Sequence, residues 1–432
     1  MSPDVIILIS VFLLLLLASV PVAVGIGLAT MLAMLATADF APAASTMAQR
    51  IATGLDSFTL LAIPFFILAG NIMGRGGIAR RLIEFAKALV GWIPGGLALV
   101  NVISNMMFGA ISGSAIASAA AIGSFMHPKM VEEGYPANYS AAVNVTSATT
   151  GLVIPPSNVL IVYSLASGGV SIAALFIAGY LPGIVIGLLL MTVAGIMAKR
   201  GGFGAAARTS IGDIFRRFGD AILGLSLILI VIGGIVAGIF TATEAAAIAV
   251  IYALLLSMVV YREVAFKDLS SILLETVVTT AVVMLLIGTS MGLAWLLAYQ
   301  EIPQTVGLML IELSANPILV LLIINLVLLV VGTFMDMTPA ILIFTPIFLP
   351  TAVAIGIDPL HFGIIMVVNL CIGLVTPPVG TVLFAGCGIA KVSMTDIVRP
   401  LLPMYVAMII GLLLITFFPQ ITMWVPGLLG LL

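Results

Sequence analysis

Apolar residues run along this chain in long uncharged blocks separated by short polar breaks. Val5 to Ala38 holds no charged side chain, and neither does Ala221 to Ala242. Blocks of about 20 apolar residues are long enough to cross the hydrocarbon core of a bilayer as helices. The pattern predicts crossings near 4–19, 21–37, 56–74, 138–167 and 170–196, then near 220–240, 243–261, 273–298, 360–389 and 393–418. Between the third and fourth crossing of each set the pattern changes. A shorter, more polar helix comes first: Ile78–Val90, with Arg80, Arg81, Glu84 and Lys87, and its weaker counterpart Ile302–Leu313. Two apolar arms around a polar tip follow. The arms are 97–111 and 115–127 around Ser112-Gly113-Ser114, and 317–333 and 339–350 around Phe334-Met335-Asp336-Met337-Thr338. Arms this short span poorly, so each pair is expected to enter and leave the membrane on one side as a hairpin.

The two sets read as copies. Gly-Leu-Val-Ile-Pro-Pro at 151–156 returns as Gly-Leu-Val-Thr-Pro-Pro at 373–378, an offset of 222 residues (373 − 151). The same offset relates Gly70 to Gly292, Pro128 to Pro350, Gly134 to Gly356, Val170 to Val392 and Ser171 to Ser393. A polar stretch at 199–219 is then the linker between a first repeat at 1–198 and a second at 220–432. In the first repeat the hairpin covers 97–127 and the broken helix 138–167; in the second they cover 317–350 and 360–389. Lys199, Arg200, Arg208, Arg216 and Arg217 put the linker in the cytoplasm by the positive-inside bias. Counting outward, Arg75–Lys87, Lys129, Arg262 and Lys267 fall on that same side, and Arg50 is an exception outside. An odd number of crossings per repeat inverts the second copy relative to the first. The expected fold is an all-α integral membrane protein, an inverted repeat with two re-entrant helical hairpins and broken helices, which is a recurrent transporter architecture.

Composition agrees. The 432 residues are 62% hydrophobic and only 7% charged, against about 25% charged in a soluble domain. A net charge of −2 gives no sign of nucleic-acid binding. Cys371 and Cys387 are isolated, which implies neither a disulfide framework nor a metal site. The N-terminus lacks a basic leader region and a cleavage site, so Val5–Ser19 is read as a retained crossing. The absence of a Walker loop, an HExxH motif or a nucleophile elbow disfavours ATP-driven transport and hydrolysis within the chain.

Candidate chemistry gathers at the breaks. Pro155 and Pro156 carry no N–H, so the carbonyls facing them lose their helical partners. With the Ser112-Gly113-Ser114 tip opposite, a small cation can replace those partners, and half-helix N-termini are left to face an anion. The bland alternative is a proline kink satisfied by neighbouring helices; its recurrence beside a second polar tip favours a site. That second constellation is Gly332, Thr333 and Asp336 with Gly373, Thr376 and Pro378. Asp336 either faces an ion path or caps the second arm. Asn144, Thr146, Ser147, Thr149 and Thr150 make a polar run before the first break. Ser114, Asn144, Ser147 and Thr150 are candidate substrate contacts, with interhelical hydrogen bonding as the alternative. Glu244 suits a helix cap with Thr241 or Thr243, and His127 and His361 are expected at the membrane edge.

With these residues in place, the chain resembles the large membrane subunit of tripartite ATP-independent periplasmic (TRAP) transporters, the DctM-like family. The resemblance runs over essentially the whole sequence. Its carriers in the first half are Gly109-Ala-Ile-Ser-Gly-Ser-Ala115, Ala120-Ala-Ile-Gly123, Gly134-Tyr135, Ile154-Pro-Pro-Ser157, Leu175-Phe-Ile-Ala-Gly179 and Pro182-Gly183. In the second half they are the run from Gly238 to Ala247, Gly332-Thr-Phe-Met-Asp336, His361-Phe-Gly363 and Thr376-Pro-Pro-Val-Gly380. It departs at Ser118, where many relatives carry an acidic residue. The resemblance implies a secondary transporter subunit, not an enzyme, in a bacterial or archaeal cytoplasmic (inner) membrane. It implies sodium-coupled uptake of an organic acid, a carboxylate or sialic-acid-like anion, by an elevator motion. It implies two partners, a small membrane subunit and a periplasmic substrate-binding protein. It implies Ser112, Gly151, Ile154 and Pro156 around one sodium ion (Na+), and Thr333, Asp336, Gly373, Thr376 and Pro378 around another. A self-sufficient sodium–anion symporter and a passive channel are the alternative readings.

Overall fold

The computed structural model describes residues 3–203, 210–313 and 316–432. Regular structure among them is helical throughout. Helices α1 (Pro3–Leu17), α2 (Val22–Leu35), α3 (Phe40–Leu55) and α4 (Ala62–Arg75) lead to α5 (Ile78–Val90). A helical pair follows, α6 (Gly96–Ser112) and α7 (Ala115–Glu132). Next comes an interrupted helix, α8 (Ala137–Ala148), α9 (Thr150–Val153) and α10 (Asn158–Ala166), and then the long α11 (Ile172–Arg200). The second half runs α12 (Ile211–Val236), α13 (Ala242–Leu254), α14 (Leu269–Tyr299) and α15 (Ile302–Leu313). Its helical pair is α16 (Pro317–Phe334) and α17 (Met337–Ala354), and its interrupted helix is α18 (Pro359–Gly373) and α19 (Thr381–Ala390). The chain closes with α20 (Met394–Phe417) and α21 (Gln420–Leu428).

Among the described residues, eight helical stretches are long and apolar enough to cross a membrane, and the pair Ala137–Val153 and Asn158–Ala166, bent by 50°, makes a ninth if it is one span. The protein is a multi-pass membrane protein. Large apolar side chains stand outward, Leu14, Leu229 and Leu274 among them. A surface of this kind belongs against lipid or another apolar partner.

Several boundaries differ from the sequence reading, each for a local reason. Crossings predicted at 4–19 and 21–37 fold as helices of 15 and 14 residues. Helix α12 begins at Ile211, inside the predicted linker, because Ser210 accepts the Asp213 N–H at 3.1 Å and starts the helix on polar residues. Residues 204–209 of that linker, Arg208 included, lie outside the described residues. Helix α17 runs through Pro346 and Pro350 to Ala354, so α16 and α17 have 18 residues each and are long enough to cross. Shortness therefore cannot be the argument for a second hairpin. Helices α3 and α21 were not predicted; α3 mixes Pro42, Gln49 and Arg50 with apolar residues and shows no long apolar run.

Packing sorts the helices into two groups. α1–α4 pack with α12–α14; α6–α11 pack with α16–α21. α5 and α15 lie between the groups, and α4, α12 and α14 touch the second group through α6, α10, α11 and α17. Basic residues cluster at one end. Arg80 and Arg81 donate to Glu263 at 2.7 and 2.9 Å, Arg75 donates to Glu275 at 2.8 Å, and Arg217 lies 3.5 Å from Glu84. The α4–α5 corner, the turn before α14 and the start of α12 thus share one face, as the charge count requires.

Positions 222 residues apart behave alike locally. Ser171 and Ser393 cap α11 and α20. Gly134 and Gly356 both have positive φ, and the Pro155–Pro156 and Pro377–Pro378 bonds are both cis.

Candidate functional site

The first tip is made by a glycine. Helix α6 stops because Gly113 turns left-handed at φ +61°, a conformation open to glycine at no steric cost. Ser114 then caps α7, its hydroxyl accepting the Ala117 N–H at 3.2 Å. The tip reaches the break through bare backbone: a Cβ on Gly109 would lie 2.6 Å from Gly151 Cα, and a Cβ on Gly151 only 2.3 Å from Gly109 Cα. Past the break, a Cβ on Gly113 would lie 3.4 Å from Asn158 Nδ2 and 3.7 Å from the Pro156 carbonyl oxygen. Ser112, Gly151, Ile154 and Pro156 are therefore gathered into one buried region. The amides that would bond the Gly151 and Leu152 carbonyls in a helix belong to Pro155 and Pro156 and do not exist. Among the described residues no other backbone N–H takes their place.

The second tip repeats the approach but closes it differently. A Cβ on Gly332 would lie 3.1 Å from Gly373 Cα. Here the chain satisfies its own carbonyls. Thr376 N–H donates to Gly373 at 2.9 Å, and Gly380 N–H donates to Thr333 at 3.3 Å. Leu374 accepts from Val382 and Leu383 at 3.1 and 3.3 Å, and Tyr405 donates its hydroxyl to Val375. Asp336 precedes α17, and the Met337 and Thr338 amides face its carboxylate without closing a capping hydrogen bond. Its side chain is reached by solvent, as is Pro378, although it lies deep among protein atoms, and the Thr381 hydroxyl stands beside its carboxylate without reaching hydrogen-bond geometry.

The two breaks meet. Cys371 Sγ lies 3.4 Å from the Thr149 carbonyl oxygen, and these positions are themselves 222 apart (371 − 149). Four helices begin at the tips and breaks: α7, α10, α17 and α19. α7 packs along α19, and α10 along α17.

Asn144 and Ser147 fall in a buried polar network that the sequence reading did not assemble. Its hub is Asn105 on α6. The Asn105 amide nitrogen lies 2.7 Å from Asn101 Oδ1, 2.9 Å from Ser147 Oγ and 3.1 Å from Asn144 Oδ1. Ser118 on α7 donates to Asn105 Oδ1 at 2.8 Å, and Asn144 donates to the Ala119 carbonyl at 2.9 Å. Both arms of the first pair are thereby tied to α8. Thr150 donates to the Ser147 carbonyl at 2.6 Å. The available signal was an Asn101/Asn105 pair at i, i+4 on an apolar arm, a costly placement in lipid unless bonded across helices. In the second half Asn369 donates to Asn325 Oδ1 at 2.8 Å and Asn325 to Thr416 Oγ1 at 3.2 Å, which joins α16, α18 and α20 but leaves α17 out.

The remaining candidates are structural in place. Glu244 and Thr241 form a reciprocal capping box on α13. His127 Nδ1 lies 3.2 Å from Ser140 Oγ. His361 is buried, with Nδ1 2.8 Å from Thr422 Oγ1, and so ties α18 to α21.

A sequence profile of the family described as "Tripartite ATP-independent periplasmic transporter, DctM component" matches residues 9–421. The chain belongs to this family. The Salmonella typhimurium protein YgiK, described as uncharacterized, is 54% identical over 424 residues, covering 98% of this chain and 97% of its own length. The C4-dicarboxylate TRAP transporter large permease protein DctM of Pseudomonas aeruginosa is 41% identical, covering 89% and 90%. The solved structure of the Alcanivorax borkumensis YdaH transporter is similar in fold at 14% identity, with a TM-score of 0.62 and 89% of each chain covered. Four of the motifs that carry the family resemblance, Gly109–Ala115, Ile154–Ser157, Gly332–Asp336 and Thr376–Gly380, are those that the fold gathers at its two tips and breaks.

Proposed function

We propose that this chain is the substrate-translocating subunit of a sodium-coupled importer of an organic acid. It would work in the bacterial or archaeal inner membrane with a small membrane subunit and a periplasmic binding protein. The observation that carries the reading is the pairing of each helix tip with a proline-broken helix through bare glycine backbone. That pairing puts the N-termini of α7, α10, α17 and α19 at the tips and breaks, a setting that favours an anion.

The first break suits a cation. Its Gly151 and Leu152 carbonyls have no amide partner among the described residues, and unmatched carbonyls in a membrane interior are costly. Bound sodium would supply the missing positive charge there. The second break suits an ion less directly, because Thr333 and Gly373 already accept amides; Asp336 and the Thr376 hydroxyl remain as donors of oxygen. Coupling then follows from the residues. Without an ion the first tip faces uncompensated oxygens; with one, tip and break hold together while the helix N-termini hold the acid.

The inverted-repeat reading is supported by the contact of Cys371 with Thr149, since equal positions of two copies touch at a two-fold axis. An elevator motion is supported by the two packing groups, with α6–α11 and α16–α21 as the moving body. The relative named for C4-dicarboxylate supports a carboxylate substrate.

The test is uptake of labelled C4-dicarboxylates into proteoliposomes holding this chain and its small subunit. The sodium gradient and the binding protein are each supplied or withheld. Uptake that needs both is expected. Sodium-driven uptake without the binding protein would favour the self-sufficient symporter, and non-saturating, sodium-independent flux would overturn the reading.

A further inference from the structure

Ser157 and Asn158 open α10, and the fold leaves both without a full complement of partners. Ser157 is completely buried, yet its hydroxyl has no hydrogen-bond partner among the described residues and does not cap the helix it precedes. A serine in that position ordinarily gives its oxygen to an amide of the first turn. Asn158 Oδ1 is buried beside it, also unpartnered, and it can only accept. The sequence reading singled out neither residue for a role. The tip opposite is Gly113, which stands close to the Asn158 side chain: a Cβ there would lie 3.4 Å from Asn158 Nδ2.

The surroundings limit what can satisfy these atoms. Segments 109–118, 149–159, 332–340 and 371–383 contain no arginine, lysine or histidine. An acid held here meets helix amides, and among the described residues no side chain caps the first turn of α10. A carboxylate at that helix end brings only acceptors. A plain methylene beside it would leave Asn158 Oδ1 buried and unpaired, which is the costly case for a polar group. A hydroxyl on the carbon next to the carboxylate brings the missing donor to Asn158 and a partner to Ser157.

We propose that Ser157 and Asn158 form a hydroxyl-recognition subsite, and that the acid this chain moves is a 2-hydroxycarboxylate. The proposal rests on the tips and breaks being the anion site. Its test compares L-malate with succinate, which differ by that one hydroxyl. Binding of each is measured to the purified chain with its small subunit in nanodiscs at saturating sodium, with no binding protein to impose its own choice. Malate is expected to bind about tenfold more tightly, the span of one good neutral hydrogen bond. Asn158→Leu, and the gentler Ser157→Ala, are expected to bring malate down to the succinate level. Equal binding of the two acids by the unaltered protein would overturn the subsite while leaving the anion site standing. Proportional weakening of both acids in Asn158→Leu would assign Asn158 to the ion or to packing, and overturn it too. Binding of neither acid would remove the anion site and the subsite together.

Discussion

The two breaks share a sequence but not a hydrogen-bond pattern. Around Gly151–Ser157 every residue is buried, two carbonyls face prolines, and no neighbouring amide replaces the lost partner. Around Gly373–Gly380 the chain folds back on itself. Thr376, Gly380, Val382 and Leu383 donate to Gly373, Thr333 and Leu374 in turn, while Pro378 and Val379 stand exposed. The reason lies just beyond the motif. Gly380 adopts φ +39° and admits a tight turn, where the first copy has Asn158, a side chain rather than a hinge. The tips differ in the same sense: Ser114 caps its helix, and its counterpart Asp336 does not. A repeated motif thus fixes where a helix breaks, and the residues after it decide whether the freed oxygens stay available.

The largest effect expected from this difference is steric. Alanine at Gly109 would bring its Cβ to 2.6 Å from Gly151 Cα, a backbone atom that cannot swing aside, whereas alanine at Gly332 meets Gly373 Cα at 3.1 Å. Overpacking costs about 1–3 kcal/mol where neighbours can adjust, and the first site cannot. Gly109→Ala is expected to abolish uptake and lower the melting temperature clearly. Gly332→Ala is expected to keep a measurable fraction of both. Equal damage at the two positions, read by uptake and by thermal melting in the same detergent, would show that the two approaches are equivalent after all.

Much of this was legible in the sequence, and the limits have physical causes. The 222-residue offset located both breaks and both tips, because proline and glycine act through the backbone and leave a mark in one dimension. Helices α3 and α21 escaped because hydropathy finds long apolar runs and these have none. The linker was drawn too long because Ser210 starts α12 on polar residues. The Asn105 network was missed for another reason: its five side chains come from three helices, and only the fold shows that they share a point.

That network sharpens the comparison at an intermediate scale. Asn105 ties both arms of the first pair to α8, whereas Asn369 ties only α16 in the second. Asn105→Leu would leave Asn101, Ser118 and Asn144 each short of a buried partner, at about 1–3 kcal/mol for each group left unpaired. Asn369→Leu would strand fewer groups, and its own Oδ1 is already unpartnered. The first variant should therefore melt several degrees below the second. The reverse order would mean that the second pair, not the first, is the stiffer element.

The smallest effect tests the breaks themselves. Within the proposed mechanism the first break holds sodium through carbonyls that proline has freed. Pro156→Ala restores an N–H four residues after Leu152, so the Leu152 carbonyl can regain a helical partner and is withdrawn from the ion. One neutral amide hydrogen bond is worth about 0.5–1.5 kcal/mol, so the sodium concentration for half-maximal uptake should rise by about 2- to 10-fold. Pro378→Ala restores the equivalent N–H opposite Leu374, but that carbonyl already accepts from Val382 and Leu383. Its sodium dependence should stay close to that of the unaltered protein. The comparison is internal: the same substitution is made in the same motif and read by the same titration. If both variants shift sodium dependence alike, the freed carbonyls of the first break are not what distinguishes it, and the ion is held by something the two breaks have in common.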